Sequence, residues 1–430
     1  MEHIFTRTDS LRVGLNKRTV FAGLASALLF LAPAGANAGG FALKEQSTAA
    51  QGNSFAGATA GAEDVTYMFF NPAGLTRHAD HQAALILNGI IVQGETANAD
   101  AGVAVGGEPT SGDAAVDALV PAAYAMWSVS PDLKLGIGIN APFGLKTEYS
   151  QTWAGRYHAV ESDMKTININ PAIAYRINDV FSVGAGLQIQ KIDITLSNMV
   201  NPDMVNFSGP DFLAEVTGDD WGFGATLGLL AELSDDTRLG LGYRSQVKHT
   251  IEGDFTIGGG LVSDASADFT APDMATAGIY HDINSQWAVM GELAWTRWSS
   301  FDELRIMSSG GLISRTPEDW EDVWFVALGA TWKPVANWTL RAGAGYDQSP
   351  IPDNRRTPRI TDEDRILLSL GAQFRPTQNV TIDAAYSHFF MKDGSINLPA
   401  GYADPPVLPA LTANYDNSID VFTVQAVLHF

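Results

Sequence analysis

Phe181-Ser182-Val183-Gly184-Ala185-Gly186-Leu187-Gln188-Ile189-Gln190 sets an apolar residue at every second position, with serine, glycine or glutamine between them. A period of two describes a β-strand with one apolar and one polar face. The pattern recurs where Leu133, Leu135, Ile137 and Ile139 alternate with Lys134, Gly136, Gly138 and Asn140. It returns at Trp338–Asp347 and Val380–Ser387. A soluble β-sandwich also alternates, with its apolar face inward. Length separates the two cases. These segments run beyond about ten residues, more than soluble strands need and enough for a tilted strand to cross a bilayer.

The connections come in two alternating sizes. Short ones are Ser130–Asp132, Ile177–Asp179, Ser234–Asp236, Asp282–Asn284, Pro334–Asn337 and Pro376–Asn379. Long ones cover Thr96–Asp117, Ser150–Asp163, Ser197–Asp220, Phe255–Ala271, Ser300–Glu321, Pro350–Thr361 and Met391–Ser418. Short turns on one rim and long loops on the other are the bacterial outer-membrane barrel pattern. Six short and seven long connections join fourteen antiparallel strands, an even number that leaves both ends on the periplasmic side. Trp127, Trp287, Trp332 and Trp338 stand beside short turns, and Trp295 and Trp324 towards long loops, as two interfacial aromatic girdles would. The chain closes on Phe422, Val424, Ala426, Leu428 and Phe430, alternating to a terminal phenylalanine, which resembles a barrel-assembly signal. The barrel assembly machinery is therefore an expected partner.

Residues 1–38 read as a secretory signal. Arg12, Lys17 and Arg18 precede an apolar run, Val20–Pro33, and Ala36-Asn37-Ala38 is a small-residue cleavage site. Its removal changes the net charge from −22 to −24, with 22 basic and 46 acidic residues left. That acidity argues against nucleic acid, which needs clustered Lys and Arg. It suits either a solvated surface or acidic outer loops bridged to lipopolysaccharide by divalent ions. There is no cysteine, so disulfides and thiolate metal sites are excluded. After residue 38 nothing is apolar for long enough to be a membrane helix, so the mature chain is either soluble or spans the membrane as a barrel of strands.

Residues 39–80 are rich in Gly, Ala, Ser and Thr, with no period of two. Too apolar-poor to fold alone, they are expected as short helices and turns packed inside the barrel of residues 81–430. Asn71-Pro72-Ala73-Gly74 within them is a turn signal, with Gly74 available for a positive φ. His78 and His81 flank the junction and are not read as a metal site; no cofactor is implied.

These residues resemble the FadL family of outer-membrane fatty-acid and hydrocarbon transporters. The resemblance covers the whole mature chain. It includes Gly40-Phe41-Ala42-Leu43-Lys44-Glu45-Gln46-Ser47, Phe69-Phe70-Asn71-Pro72-Ala73-Gly74-Leu75 and Ala141-Pro142-Phe143-Gly144-Leu145-Lys146-Thr147-Glu148-Tyr149. Trp295-Thr296-Arg297-Trp298-Ser299 and Tyr346-Asp347-Gln348-Ser349-Pro350 continue it. It implies a fourteen-stranded barrel closed by an N-terminal hatch. It also implies an outer-loop groove, a tighter lumenal pocket beside the N-terminus, and a lateral exit at a kinked third strand, all without an energy source.

The residues fit that scheme in four places. Pro142 removes a ladder donor and Gly144 weakens the strand on either side of Phe143, which predicts either an opening or a bulge near the rim. Phe41 and Leu43 can fill an apolar pocket until substrate displaces them, or can simply anchor the hatch. Ser197–Asp220 carries Met199, Met204, Phe207 and Phe212 and is too apolar for a free loop. It is read as an amphipathic helical segment lining a groove, with Leu261 of Phe255–Ala271 on the partner wall. By strand parity Lys134, Arg244 and Arg341 point inward, either towards a substrate carboxylate or into salt bridges with Asp347, Glu232 or Glu292.

Inward cations favour long-chain fatty acids over aromatic hydrocarbons such as toluene. No motif joins Ser and His into a catalytic set, so no enzyme is expected. An adhesin or receptor role of the loops is compatible with transport. A closed barrel has no edges to pair, so a monomer is expected.

Overall fold

The computed structural model describes residues 39–102, 105–205 and 209–430. The expected signal segment, Phe207 and the side chain of Met204 lie outside what it describes.

Fourteen antiparallel strands close into one barrel. They are β1 (Gln82–Asp100), β2 (Ala118–Ser128), β3 (Leu133–Asn140, resumed at Gly144–Glu148), β4 (Glu161–Arg176) and β5 (Phe181–Val200). β6 (Phe212–Glu232), β7 (Thr237–Arg244 and Val247–Ile257), β8 (Gly260–Ala271 and Met274–Asp282) and β9 (Trp287–Thr296 and Glu303–Ser308) follow. β10 (Gly311–Pro317 and Val323–Val335), β11 (Trp338–Asp347), β12 (Arg365–Thr377), β13 (Val380–Met391 and Gly394–Leu398) and β14 (Leu411–His429) complete the wall. β14 pairs back onto β1 from Gln82↔His429 to Thr96↔Tyr415, so the sheet has no edge there. Lipid offers no hydrogen bonds, and closure is how a sheet satisfies every peptide group.

Side-chain direction rules out a sandwich. The apolar face points out: Leu187, Phe223 and Leu328 are 59%, 72% and 70% exposed. The polar face points in: Ser182, Gln188 and Gln190 are buried. The girdle tryptophans Trp127, Trp287, Trp332 and Trp338 are exposed at the short-turn rim, where Trp287 stacks on Trp332 with ring centroids 5.6 Å apart.

All six short turns fall where the sequence puts them. Several of the long loops carry paired strand, as where Gly394–Leu398 pairs with Leu411–Tyr415 inside Met391–Ser418, and three differ further. Ser197–Asp220 is not a helical segment: the β5–β6 ladder continues to Val200↔Phe212, and a 3₁₀ turn at Pro202–Val205 is its helical part. Phe255–Ala271 is a hairpin that turns at Gly258 and Gly259, both at positive φ. Ser300–Glu321 contains the paired segments Glu303–Ser308 and Gly311–Pro317. In these outer segments the outward apolar face is lost while the backbone ladder goes on; in Val247–Ile257 it is the inward Val247 and Ile251 that are apolar and buried.

Residues 39–78 form helices α1 (Thr48–Gly52) and α2 (Ala58–Gly61) and 3₁₀ turns at Val65–Phe69 and Pro72–Arg77, packed on the inner wall. Asn71 caps the last turn by accepting from Ala73 N (3.0 Å), with Pro72 at its first position. Its amide donates to Thr59 O (2.8 Å) and to Leu229 O of β6 (3.0 Å), which ties the turn to the wall. Gly74 is not at positive φ; a Cβ there would lie 2.9 Å from Ala62 Cβ, so close approach is what requires glycine. The wall yields in the same way: a Cβ at Gly228 would overlap Asn71, and one at Gly184 would overlap Ala73.

Gly228→Val is therefore expected to lower stability by about 1–3 kcal/mol through overpacking, read as a lower urea midpoint of the purified barrel. Gly89→Ala, whose added methyl would meet nothing nearer than Phe422 O at 3.7 Å, is expected to leave the midpoint unchanged.

Candidate functional site

β3 is interrupted between Asn140 and Gly144. Pro142 has no N–H to give to a neighbouring strand. The β2–β3 ladder stops at Ala123↔Ile139 and resumes as a bridge at Ala115↔Thr147; between these no pair joins the two strands among the described residues. The freed chain turns inward and meets the N-terminal strap, residues 39–43. Leu43 N donates to Pro142 O (2.8 Å), Gly144 N to Phe41 O (3.0 Å), and Gln46 Nε2 to Ala141 O (2.9 Å). On the β4 side Phe143 N donates to Thr166 Oγ1 (3.0 Å), which donates back to Phe143 O (2.7 Å). Pro142, Phe143 and Gly144 thus form a break in the wall that the strap stitches shut.

Phe41 is 1% exposed. Its ring lies 4.8 Å from Trp298, 5.5 Å from Trp320, 5.6 Å from Phe269, 6.1 Å from Phe143 and 6.2 Å from Phe301. This cage divides a series of cavities. The outermost is a groove of about 460 Å³ between β5–β6, β7, the β9–β10 hairpin and residues 403–408. Below it a cavity of about 70 Å³ is lined by Phe41, Met164, Ile194, Ile251, Phe269, Glu318 and Arg359. Beyond the cage a third, of about 50 Å³, is lined by Leu43, Phe69, Phe70, Pro142, Phe143, Arg244, Met274 and Phe325. Leu196, Val216, Leu304, Ile306 and Arg359 line both the groove and the middle cavity. The inner two have room for a few waters and none for an acyl chain; the groove is of ligand size.

Met199 and Phe212 line the groove. Leu261 does not: it stands one residue past the hairpin tip's paired Gly260 and is 69% exposed, while Phe255 and Ile257 supply that wall. Of the inward cations, Lys134 is buried at the short-turn rim, where it donates to Ser128 Oγ and Ser130 O (3.0 Å). It lines none of the three cavities. Arg341 is held by Glu63 (2.5 Å) and Asp383 (2.9 Å), also away from the cavities. None of the anticipated salt-bridge partners holds either: Asp347 takes Lys44 (2.7 Å) and Arg365 (2.9 Å), Glu232 takes Arg77, and Glu292 accepts from Thr59 N (3.1 Å) and Thr59 Oγ1. Parity fixes the face of a strand but not the height on it. Arg244 does line the inner cavity, lying over the Phe69 ring and donating to Phe69 O (3.2 Å) and Gln188 Oε1 (2.6 Å). It has no ion pair among the described residues.

Sequence reasoning missed Arg359. It shares a loop with Arg355, paired with Asp319 (2.5 Å), and Arg356, paired with Glu363 (2.8 Å). Arg359 instead donates to Glu161 O (3.1 Å) and Ser162 Oγ (3.1 Å), with no carboxylate at ion-pair distance among the described residues. Burial brings its guanidinium down to about 10, so it stays charged at neutral pH. Glu318, in the same cavity, is pushed up to about 8 by burial, against the Trp320 Nε1–H that it accepts (3.0 Å). Nothing in the spacing of the three arginines distinguishes the unneutralised one.

Replacing Phe41 with Ala is expected to join the two inner cavities, to raise severalfold the binding of an apolar fluorescent probe to the purified protein, and to cost about 3–5 kcal/mol of stability. Loss of stability with unchanged probe binding would assign Phe41 to anchoring alone.

The profile described as "Outer membrane protein transport protein (OMPP1/FadL/TodX)" matches residues 29–430. The "Long-chain fatty acid transport protein" of Escherichia coli O6:H1 is 29% identical over 398 residues, covering 81% of this chain and 86% of that one. The crystal structure of a Pseudomonas aeruginosa FadL homologue superposes with a TM-score of 0.85 at 25% identity, covering 91% of this chain and all (100%) of the other. A Pseudomonas putida toluene transporter, TodX, gives 0.69 at 16% identity, covering 91% and 99%, a likeness of fold. A plugless porin or an outer-membrane enzyme would match neither the profile nor these relatives. The chain belongs to the OMPP1/FadL/TodX family, outer-membrane β-barrel channels that move hydrophobic small molecules.

Proposed function

We propose that this chain takes up long-chain fatty acids by passive diffusion. The substrate settles in the outer groove, passes Arg359 into the middle cavity, displaces Phe41 and Leu43, and leaves sideways through the break at Pro142–Gly144. Residues 39–80 act as the hatch. The observation that carries this is the series of three apolar cavities ending at the break, with Arg359 and Arg244 along it in no ion pair among the described residues. An arginine buried without an anion is costly, and a substrate carboxylate supplies one. The name of the Escherichia coli relative supports the fatty-acid branch over the hydrocarbon one.

The test is uptake of radiolabelled oleate and of toluene by cells without their own transporter, expressing this chain. Oleate uptake is expected. Arg359→Leu removes a hydrogen bond to a charged head group, about 1.5–3 kcal/mol, and is expected to weaken oleate binding about 10- to 100-fold. Pro142→Val with Gly144→Thr is expected to stop uptake while the barrel still assembles. Toluene uptake alone would move the protein to the hydrocarbon branch, and unchanged oleate uptake by the folded double variant would overturn the lateral exit.

Glu318 sets a pH dependence. Below about 8 it is neutral and Arg359 is open to the substrate; above that it ionises in the same cavity and competes. Oleate affinity of the purified protein is expected to fall as pH rises through 8, and Glu318→Gln to flatten the profile.

A further inference from the structure

β7, β8 and β9 break opposite one another, just past the row Arg244↔Met274↔Thr296. β7 and β8 pair again at Val247↔Ala271, with Ser245–Gln246 and Pro272–Asp273 unpaired between. β9 leaves the wall after Thr296 and resumes at Glu303. Past the break β7 slips behind β6. A Cβ on Gly222 would stand 2.5 Å from Val247 Cγ1 and 2.7 Å from Lys248 O. Gly222 faces the lumen, since Trp221 and Phe223 on either side of it are exposed. The outer segments of β7 and β8 are thus set inward, and a recess of about 500 Å³ opens on their outer face. Thr250 of β7, Ser266, Asp268 and Thr270 of β8, and Asp302 and Arg305 at β9 line it. Alternation fixes the side, because Ile251, Ala265, Phe269 and Ala271 are the buried residues of these segments. The recess begins just past Trp295 and its partner Trp324, which end the exposed aliphatic band of Ile279, Leu293 and Leu328. That is the head-group level of the outer leaflet.

The lining is polar and partly uncommitted. Asp268 accepts from Thr250 Oγ1 (3.0 Å) through one carboxylate oxygen. The Asp302 carboxylate and the Ser266 and Thr270 hydroxyls make no hydrogen bond or ion pair among the described residues. Glu303 holds both Arg305 (2.6 Å) and Arg315 (2.5 Å), which leaves one guanidinium charge in excess. Lys248, paired across the ladder with Thr270, is in no ion pair among the described residues. Carboxylates accept from ring hydroxyls, hydroxyls do either, and guanidinium and ammonium groups donate to phosphate. We propose that this recess binds the sugar head group of lipopolysaccharide, the glycolipid of the outer leaflet. Asp268 and Asp302 accept from its hydroxyls, and Arg305 and Lys248 face its phosphates. A phospholipid phosphate alone would meet two carboxylates with few hydroxyls to give them. Unlike the bridging by divalent ions that the overall acidity suits, this contact is direct and sits at one place on the wall.

The test measures no transport, so it stands or falls apart from the fatty-acid reading. Protein purified from outer membranes and delipidated in a detergent without sugars is mixed with deep-rough lipopolysaccharide in EDTA. Native mass spectrometry then reads the bound lipid. One molecule per barrel is expected. Thr270→Trp fills the recess and is expected to weaken binding by about tenfold. Asp302→Ala leaves every bond among the described residues in place and is expected to weaken it severalfold. Leu261→Trp, on the exposed hairpin tip outside the recess, is expected to bind as the unaltered protein does. Excess phosphatidylglycerol is expected to leave the complex intact. Unaltered affinity in either recess variant that folds overturns the proposal, as does an equal loss in Leu261→Trp. Binding that EDTA abolishes, or that phosphatidylglycerol displaces, overturns it too.

Discussion

Pro142 sets the constraint on which the rest depends. A barrel survives in lipid because each backbone donor and acceptor finds a partner in the next strand. At Ala141–Phe143 that accounting fails on the β2 side, and the missing partners come from inside, from Phe41, Leu43 and Gln46. The defect in the wall and the position of the N-terminus are therefore one feature. A regular third strand would leave the strap with nothing to bond, and a displaced strap leaves Pro142 O and Gly144 N open to the lumen and to whatever lies there.

The rest of the hatch is held by different forces. Arg341 joins Glu63 of the hatch to Asp383 of β13; Arg238 donates to Ala60 O and Gly61 O; Gln425 donates to Asp64. Breaking a buried charged pair by removing one partner costs about 3–5 kcal/mol. The strap packs mainly through aromatic and aliphatic surface, which another apolar molecule can replace. If the strap is displaced as proposed, the body of the hatch keeps its bonds to the wall, Asn71 to Leu229 O among them. Arg341, though inward, is thus taken up by hatch and wall carboxylates.

Strand number, turn positions and the break at Pro142 were legible in the sequence because lipid enforces alternation and proline removes a donor wherever it sits. The outer hairpins were not. Glu252, Asp254 and Asp268 stand on the outer face of paired strands whose inner face carries the buried Ile251, Ala265 and Phe269, the reverse of the lipid-facing pattern, so a search for an outward apolar face passes over them. Arg359 was hidden for another reason. Whether a loop arginine is neutralised depends on carboxylates distant in sequence, such as Asp319 for Arg355. Gly74 was legible as a constrained glycine but with the wrong cause, since a close neighbour and a positive φ leave the same mark on a sequence.

The energetics of the strap say which molecules can open it. Its bonds at Leu43, Gly144 and Gln46 contribute roughly 0.5–1.5 kcal/mol each, and burial of Phe41 about 1.5–3 kcal/mol more. The strap is thus held by roughly 3–8 kcal/mol, within the range of a spontaneous minor state at its lower end. An acyl chain gains about 0.8 kcal/mol per methylene buried. A chain of some sixteen methylenes carries more than the strap can resist even when partly inserted, whereas a single small ring falls near or below the threshold. On the proposed fatty-acid reading, chain length rather than head-group charge supplies the energy that displaces the seal.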